Sequence, residues 1–472
     1  MGVFRISVPA FKEKNIQRIL KHPAVKELGK RFEEAGKVIY LVGGTVRDAF
    51  LGRYHEDLDF TTNASPDDIV KIVGGWADAL WLVGVKFGTV SLAKENLKIE
   101  ITTFRTEVYE VESRHPEVEF APDVLTDLSR RDFTVNAMAV KVPEGEIVDP
   151  FGGEDDLKNG ILRTPIKPEE SFADDPLRML RAVRFASTLG FAVAPEVKAA
   201  MEEMRRALDI VSTERIREEI SKALLGERPA VAVRLLMETR LYEECIPELS
   251  MLKLAQDPDF HHKDVFEHTL VVLENVEADL SLRLAALFHD IAKSQTKQIV
   301  NGKVVFYNHD VQSARIARRR LRELKYPKAV VEEVNKLITM HMRAYTYRTG
   351  WTDSAVRRFA RDAGPTLPKL FSLLRADCTS KNIRKVRESL SVLDDLEDRI
   401  AELEAKEESA KIRPPIDGHE VMEHLGMPPG PLVGKALEML LEAKLEGEIE
   451  TKEEAFSLLD KWATEMGIAK EP

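Results

Sequence analysis

The spacing of apolar and polar positions changes character along the chain. In AVKELGKRFEEAG, residues 24–36, apolar side chains recur at helical intervals and stop at Gly36, so residues 1–35 read as a helical lead-in. From Val38 to about Pro150 the pattern shortens into β-rich runs: VIYLVG, DLDFTT, WLVGVKFGTVSLA, LKIEITTFR, NAMAVKV and EIVDPF. Helical stretches such as SPDDIVKIVGGWADAL separate some of them, which predicts an α/β or α+β unit with a mixed sheet. After Gly153 the strands largely stop, and residues 154–472 read as helix after helix with Pro and Gly at the joints.

One of those helices is ADDPLRMLRAVRFASTLG, with an Asp N-cap, Pro176 in the first turn and Gly190 at the end. Leu177, Leu180, Val183 and Phe185 can face a core, while Arg178, Arg181 and Arg184 recur every three residues on one face. Near residues 388–408 the spacing of Leu393, Leu396, Ile400 and Leu403 predicts a helical arm or a short coiled coil, broken by RPPIDG at 413–418.

The stretch LVGGTVRDAFLGRYHEDLDF, residues 41–60, carries the first chemistry. A strand runs into Gly43 and Gly44, where backbone N–H groups can approach a phosphate without a Cβ in the way. Thr45 adds a hydroxyl and Arg47 a fork of donors, and the helix that follows points its N-terminus at the turn. Strand alternation then puts Asp57 and Asp59 on one face. Two adjacent carboxylates repel unless a divalent cation neutralises them, and Mg²⁺ prefers few protein carboxylates together with phosphate oxygens. A lone DxD or GG is more often a solvated turn. Their combination on one strand–turn–helix predicts a triphosphate cradle beside a Mg²⁺ platform, the parts needed to attack an α-phosphate and expel pyrophosphate.

Composition narrows the setting. With 472 residues, 44% hydrophobic content and 32% charged residues, the chain has the makings of a multi-unit soluble protein. A net charge of −11 excludes indiscriminate coating of nucleic acid but permits a local basic groove. Two cysteines, Cys245 and Cys378, do not make a disulfide framework. The opening MGVFRISVPAFKEKN lacks a signal-peptide core and no run suits a membrane span, so a cytoplasmic protein is expected.

The motifs together resemble the tRNA nucleotidyltransferase and poly(A) polymerase family, in its bacterial and eukaryotic class, within the DNA polymerase β-like nucleotidyltransferases. The likeness rests on the opening stretch, RRDFTVNAMAV at 130–140, DPFGG at 149–153, DDPLRMLRAVRFASTLGF at 174–191 and STERIREEISKAL at 212–224. The resemblance implies an α+β chain with head 36–153, helical neck 154–228, HD-type body 229–385 and arm and tail 386–472. It implies two-metal nucleotidyl transfer with Mg²⁺ on Asp57 and Asp59, and ribose and phosphate contacts from Arg131 and Asp132, with Asn136 bracing that loop through the backbone. Asp175 and Arg178 then present an acceptor and a donor that fit cytosine and adenine alike, and Arg181 and Arg184 extend the positive face toward the triphosphate. The family motif begins Glu-Asp where this chain has Asp174-Asp175. Glu100, between Ile99 and Ile101, is a candidate to help deprotonate the attacking hydroxyl or else a solvent-face glutamate. Residues 105–121 fall where the family carries a mobile loop.

A second constellation runs from His268 through His289-Asp290, His309 and His341 to Asp377. It resembles an HD-domain metal site, in which imidazoles and carboxylates from several helices converge on a transition metal or Mg²⁺. HD domains of this type are often phosphohydrolases; the bland alternative is a decayed fold that holds RNA. Basic runs at ARIARRRLRELKYPK and SKNIRKVR offer phosphate contacts, or are solvated helix faces.

The expected function is template-independent addition of CMP, CMP and AMP to tRNA 3′ ends from CTP and ATP, with possible HD phosphohydrolase activity in addition. A poly(A) polymerase or A-adding enzyme shares all four motifs. An HD phosphohydrolase with an RNA-docking head, or an inert RNA-binding protein, leaves the Asp57/Asp59 pair without a purpose.

Overall fold

A computed structural model describes residues 12–108, 117–253, 264–301, 303–379, 382–411, 413–445 and 448–466. The chain divides into two units, one of Met1–Ala344 with Pro368–Lys381 and one of Tyr345–Leu367 with Asn382–Pro472.

The head is built on strands β1 (Ile39–Val42), β2 (Asp57–Thr62), β3 (Ala79–Trp81), β4 (Thr89–Lys94), β5 (Leu97–Thr103), β6 (Arg105–Val108), β7 (Glu117–Phe120), β8 (Ala139–Val142) and β9 (Ile147–Val148). Seven of them form one mixed sheet in the order β3-β4-β5-β2-β1-β8-β9, and β6 and β7 form a separate hairpin. The β2–β5 pair is parallel, and the other pairs of the large sheet are antiparallel. Alternation sorts the two faces. Leu58, Phe60, Ile99, Ile101, Val90 and Leu92 are buried, while Asp57, Asp59, Lys98 and Glu100 point to solvent on the other face. The helices Pro23–Glu34 and Pro66–Val73 supply further buried residues, among them Leu28, Phe32, Ile69 and Val73.

The run 81–93 is two strands, not one, because residues 82–88 turn through Gly84 and Gly88. The 65–80 stretch is helical only to Val73, where Gly74 and Gly75 end it. Residues 109–116, in the segment expected to hold a mobile loop, lie outside the described residues.

Helices dominate beyond the head. Leu177–Leu189 ends at Gly190 in the left-handed region, and Leu177, Leu180, Val183 and Phe185 are all buried as their spacing predicts. It packs on Thr213–Leu224 and Pro229–Glu238. A hairpin, Lys297–Val300 with Lys303–Phe306, interrupts the helical body. In the second unit, Ile383–Lys411 is a single helix whose Leu393, Leu396, Ile400 and Leu403 are buried, with Asp353–Ala363 packed on it. Three further helices, Gly418–Leu425, Pro431–Leu445 and Lys452–Glu465, share a core of Val421, Leu425, Leu440 and Leu459. Among the described residues no helix is long and apolar enough to cross a membrane.

Candidate active site and metal centre

Strand β1 passes directly into the helix Gly43–Phe50, whose first residues line a cavity of about 520 Å³. Gly43 has φ +68, and a Cβ there would sit 3.0 Å from Arg131 Nη1, so both backbone and space call for glycine. Thr45 is buried away from the cavity lining, and its Oγ1 accepts the backbone N–H of Asp59 at 3.0 Å. That bond ties the helix to the carboxylate strand.

Asp59 and Glu100 are direct cross-strand partners, and both line the cavity. Asp57 lies two residues along the same face, opposite Lys98. Asp59 keeps solvent contact, yet the protein crowded around it desolvates the carboxylate. That desolvation, followed by the negative charge of Glu100, pushes its pKa above the ordinary value; Arg131 and Arg47 pull the other way. Gathered like charge of this kind, with oxygen-only donors, suits a hard divalent cation.

A connected polar chain forms the opposite wall. Arg47 bonds Asp48 through Nε and Nη2 and donates from Nη1 to Asn136 Oδ1 at 2.8 Å. Asn136 Nδ2 donates to Asp132 Oδ1 at 2.9 Å, and Asp132 Oδ2 accepts Arg181 Nε at 2.7 Å. Asn136 therefore braces its loop through side chains rather than the expected backbone bond. Burial alone would raise the Asp132 carboxyl; Arg181, the Asn136 amide and the Phe133 N–H outweigh it and hold the pKa below the ordinary value. Arg184 bonds the buried Glu219 at 3.0 Å. Asp127, fully buried, anchors Arg130 and Arg131, one to each carboxylate oxygen at 3.0 Å. The ring of Phe185 carries three guanidinium groups, of Arg47, Arg181 and Arg184, at 5.2, 5.6 and 4.4 Å from its centroid.

Asp175 and Arg178 both line the cavity; the Arg178 backbone N–H donates to the Asp175 carbonyl at 3.0 Å, while their side chains bond other groups. Asp175 Oδ1 accepts the Leu177 N–H, although Pro176 and not the expected Asp is the N-cap of the helix, and Oδ2 accepts Arg215 Nη2 at 3.0 Å. Arg178 is buried, with Nη1 on Ser171 and Nη2 donating to the Arg130 carbonyl at 2.5 Å. The donor expected for base reading thus also ties the neck helix to the RRD loop. Sequence reasoning missed Asp127, Arg215 and the ring of Phe185 as a platform. Asp127 was detectable, since it stands three and four residues before Arg130 and Arg131 on one helical turn. Arg215 is forty positions from Asp175, and no local pattern announces that pairing.

The second constellation converges. His268, His289 and Asp377 offer ligand atoms within 4.8 Å of one another, as do Asp290, His309 and His341. The head carboxylates are not among such triads in the described residues. Every one of the six sits at or near a helix end: His268 in Val265–Asn275, His289 and Asp290 after Leu280–Phe288, His309 opening His309–Glu323, His341 after Lys328–Met340, and Asp377 closing Leu367–Asp377. His289, His309 and His341 each place Nδ1 on the carbonyl three residues back, at 2.8, 3.0 and 2.6 Å. That fixes the proton on Nδ1 and leaves the Nε2 lone pair directed inward, the orientation a metal requires. Nε2 of His289 and His309 and Oδ1 of Asp290 are buried with no well-formed hydrogen bond among the described residues. Asp290 also takes Lys293 Nζ at 2.5 Å.

The basic run 314–328 is largely engaged within the protein. Arg319 and Arg320 bond Glu248, and Arg318 bonds Glu332. Ser380 and Lys381 of the other run lie outside the described residues, and Arg384 pairs with Glu388.

A mixed sheet bearing paired carboxylates at an arginine-walled cavity defines the head as a nucleotidyltransferase fold. Comparison with known proteins gives the family. Residues 39–163 match the poly A polymerase head domain, 190–252 the probable RNA and SrmB-binding site of polymerase A, and 265–382 the HD domain. The chain is 34% identical to a CC-adding tRNA nucleotidyltransferase of Thermus thermophilus, covering 90% of this chain and 94% of that one. It is also 34% identical to an A-adding tRNA nucleotidyltransferase of Deinococcus radiodurans, covering 90% and 95%. Its structure resembles that of the Bacillus stearothermophilus CCA-adding enzyme in complex with CTP, with TM-score 0.57, 29% identity and coverage of 95% and 99%. The chain belongs to the tRNA nucleotidyltransferase and poly(A) polymerase family, and it is a nucleotidyltransferase.

Proposed function

We propose that this enzyme adds CMP, CMP and AMP to the 3′ end of tRNA from CTP and ATP without a nucleic-acid template. The observation that carries the reading is one cavity whose lining joins the carboxylates Asp59 and Glu100 to Arg47, Arg131, Arg181 and Arg184 and to the pair Asp175 and Arg178. Segment 36–153 acts as the catalytic head, 154–228 as the neck that reads the nucleotide, and 229–385 and 386–472 as the body, arm and tail that hold tRNA.

In this reading the guanidinium groups receive the triphosphate, Arg131 and Asp132 set the ribose, and Asp175 and Arg178 meet the base edge. A cytosine and an adenine both offer an exocyclic amine as donor and a ring nitrogen as acceptor, so one acceptor–donor pair suits both. Glu100, beside Asp59, takes the proton from the 3′ hydroxyl. The 3′ oxygen then bonds the α-phosphorus as the bond to pyrophosphate breaks. Mg²⁺ held by Asp57 and Asp59 would supply charge neutralisation at the α-phosphate. In the body, the six HD residues would hold a divalent metal, with Ni²⁺, Mn²⁺, Fe²⁺ or Zn²⁺ suited to the imidazoles better than Mg²⁺ alone. That site is proposed to hydrolyse phosphate esters such as 2′,3′-cyclic phosphates.

The test is incubation of tRNA lacking its 3′ end with each NTP alone and in combination, followed by sequencing of the products. Ordered addition of C, C and A is expected. A second reading, a specialist that adds only part of the sequence, is favoured by the two 34% relatives, one CC-adding and one A-adding. Products that stop after two C residues, or a requirement for tRNA already ending in CC, would establish it.

A further inference from the structure

The open face of the head sheet carries a row that crosses four strands. Trp81 on β3 is the direct partner of Ser91 on β4, Ser91 of Glu100 on β5, and Glu100 of Asp59 on β2. Direct partners point to the same face, so the Trp81 indole stands on the side of the sheet that bears the carboxylates. Ser91 Oγ lies 3.5 Å from Glu100 Oε1 within the row. At about 4.8 Å per strand, Trp81 is roughly 14 Å from Asp59.

Trp81 is 49% exposed on the edge strand, and in the turn that follows Leu82 is 50%, Val83 92% and Phe87 55% exposed. Single exposed apolar residues are ordinary, but four within seven positions next to a catalytic face are not. The turn is tied to the nucleotide cavity, because Arg105, which lines it, donates from Nη1 to the Phe87 carbonyl at 2.7 Å. The Gly88 carbonyl accepts the N–H of Thr103 at the end of β5. Lys86 is exposed in the same turn, and Lys98 is exposed on β5.

We infer that Trp81 is the stacking platform for the single-stranded 3′ end of the RNA that this enzyme extends. The inference rests on the polymerase reading of the head. A growing RNA end must bring its 3′ hydroxyl to Asp59 and Glu100, and its preceding nucleotides must leave across the open sheet face. Stacked nucleotides advance about 3.4 Å each, so roughly 14 Å places the indole within the last four nucleotides. Aromatic faces accept any base, which suits a platform under which different nucleotides pass as the end grows.

The test uses RNA hairpins of acceptor-stem type with 3′ single-stranded tails of increasing length, and the full-length chain. In Trp81→Ala, KM for tailed hairpins is expected to rise about tenfold, with kcat and KM for the NTP unchanged and little effect on blunt hairpins. Trp81→Phe should restore most of the affinity. Tailed hairpins should also quench the fluorescence of Trp81, measured as the difference between wild type and Trp81→Phe. Quenching needs no turnover, so it reads the platform even if the wild type adds no nucleotide and the polymerase reading fails. An unchanged KM for tailed RNA overturns the inference, as does a rise in the NTP KM of the same size. A change in sedimentation of Trp81→Ala with normal RNA affinity would make this surface a contact between chains instead.

Discussion

Asp127 lies behind the cavity wall and is not part of its lining. Its influence runs through Arg130 and Arg131, each bonded to one of its oxygens. Asp127→Ala leaves two partly buried guanidinium groups without their anion, a change that costs about 3 kcal/mol or more in comparable buried pairs. Calorimetry should show that loss, and steady-state kinetics should show a raised NTP KM, because Arg131 loses its fixed position. A normal NTP KM with lowered stability would leave Asp127 a purely structural anion. Asp132 carries a pH signature. Its carboxyl is held below the ordinary value of 3.8, so the stability it contributes is complete above that pH and fades as pH falls through the lower folded value. Asp132→Asn should therefore lower Tm by a constant amount between pH 7 and 5, with the gap closing only in stronger acid. A gap that already narrows between pH 7 and 5 points to a different group. Residues of this kind mark the boundary of what is legible. Asp57, Asp59 and the arginines announced themselves by local spacing. The pairing of Asp175 with Arg215, and the arrival of Arg47 on the Phe185 ring beside Arg181 and Arg184, depend on long-range packing that no window of sequence contains.

Elements were legible where caps and periods agreed. Leu177–Leu189 has its Gly exit and its buried stripe where the pattern puts them, while its entry is shifted, with Pro176 at the N-cap in place of the expected Asp. The strand run 81–93 misled because an apolar turn looks like apolar strand; only Gly84 and Gly88 hint at the bend. The body hairpin went unnoticed although Asn301-Gly302 between β-rich runs is a strong hairpin signal. Packing between elements makes one glycine decisive. A Cβ on Gly153 would lie 2.2 Å from the Thr134 carbonyl and 2.9 Å from Met138. The helix Gly153–Asn159 thus presses on the loop that carries Asp132 and Asn136. Gly153→Ala must shift that loop, and a displacement near 1 Å at a catalytic wall costs on the order of a hundredfold in kcat/KM. Gly434 is the matched control, in the helix Pro431–Leu445 with open space around its Cβ position. Gly434→Ala should keep full activity and gain up to about 1 kcal/mol. Equal activity in the two variants would mean that the loop absorbs the clash.

At the scale of the molecule, two polar centres with different chemistry are built in one chain. The head centre is oxygen-rich and lies on a sheet face; the body centre is imidazole-rich and lies where helix ends meet. The body residues were legible as a set through their resemblance to an HD-domain metal site. Their convergence was expected from that resemblance, but their grouping into two triads was not, since it depends on how five helices are assembled around one point. The difference in donors makes the centres separable. A metal that binds only the folded body stabilises the chain by RT ln(1 + [metal]/Kd), about 2.7 kcal/mol at a hundredfold excess over Kd. Added Mn²⁺ or Ni²⁺ should therefore raise Tm in the wild type. His289→Ala removes one inward Nε2 and should lose most of that increase. Nucleotide addition in the presence of Mg²⁺ should persist in the same variant, because no body histidine lines the nucleotide cavity. A normal metal-induced rise in Tm in His289→Ala would remove this residue from the metal set. Loss of nucleotide addition in a well-folded variant would show instead that the body centre supports the head, and that the two sites work as one.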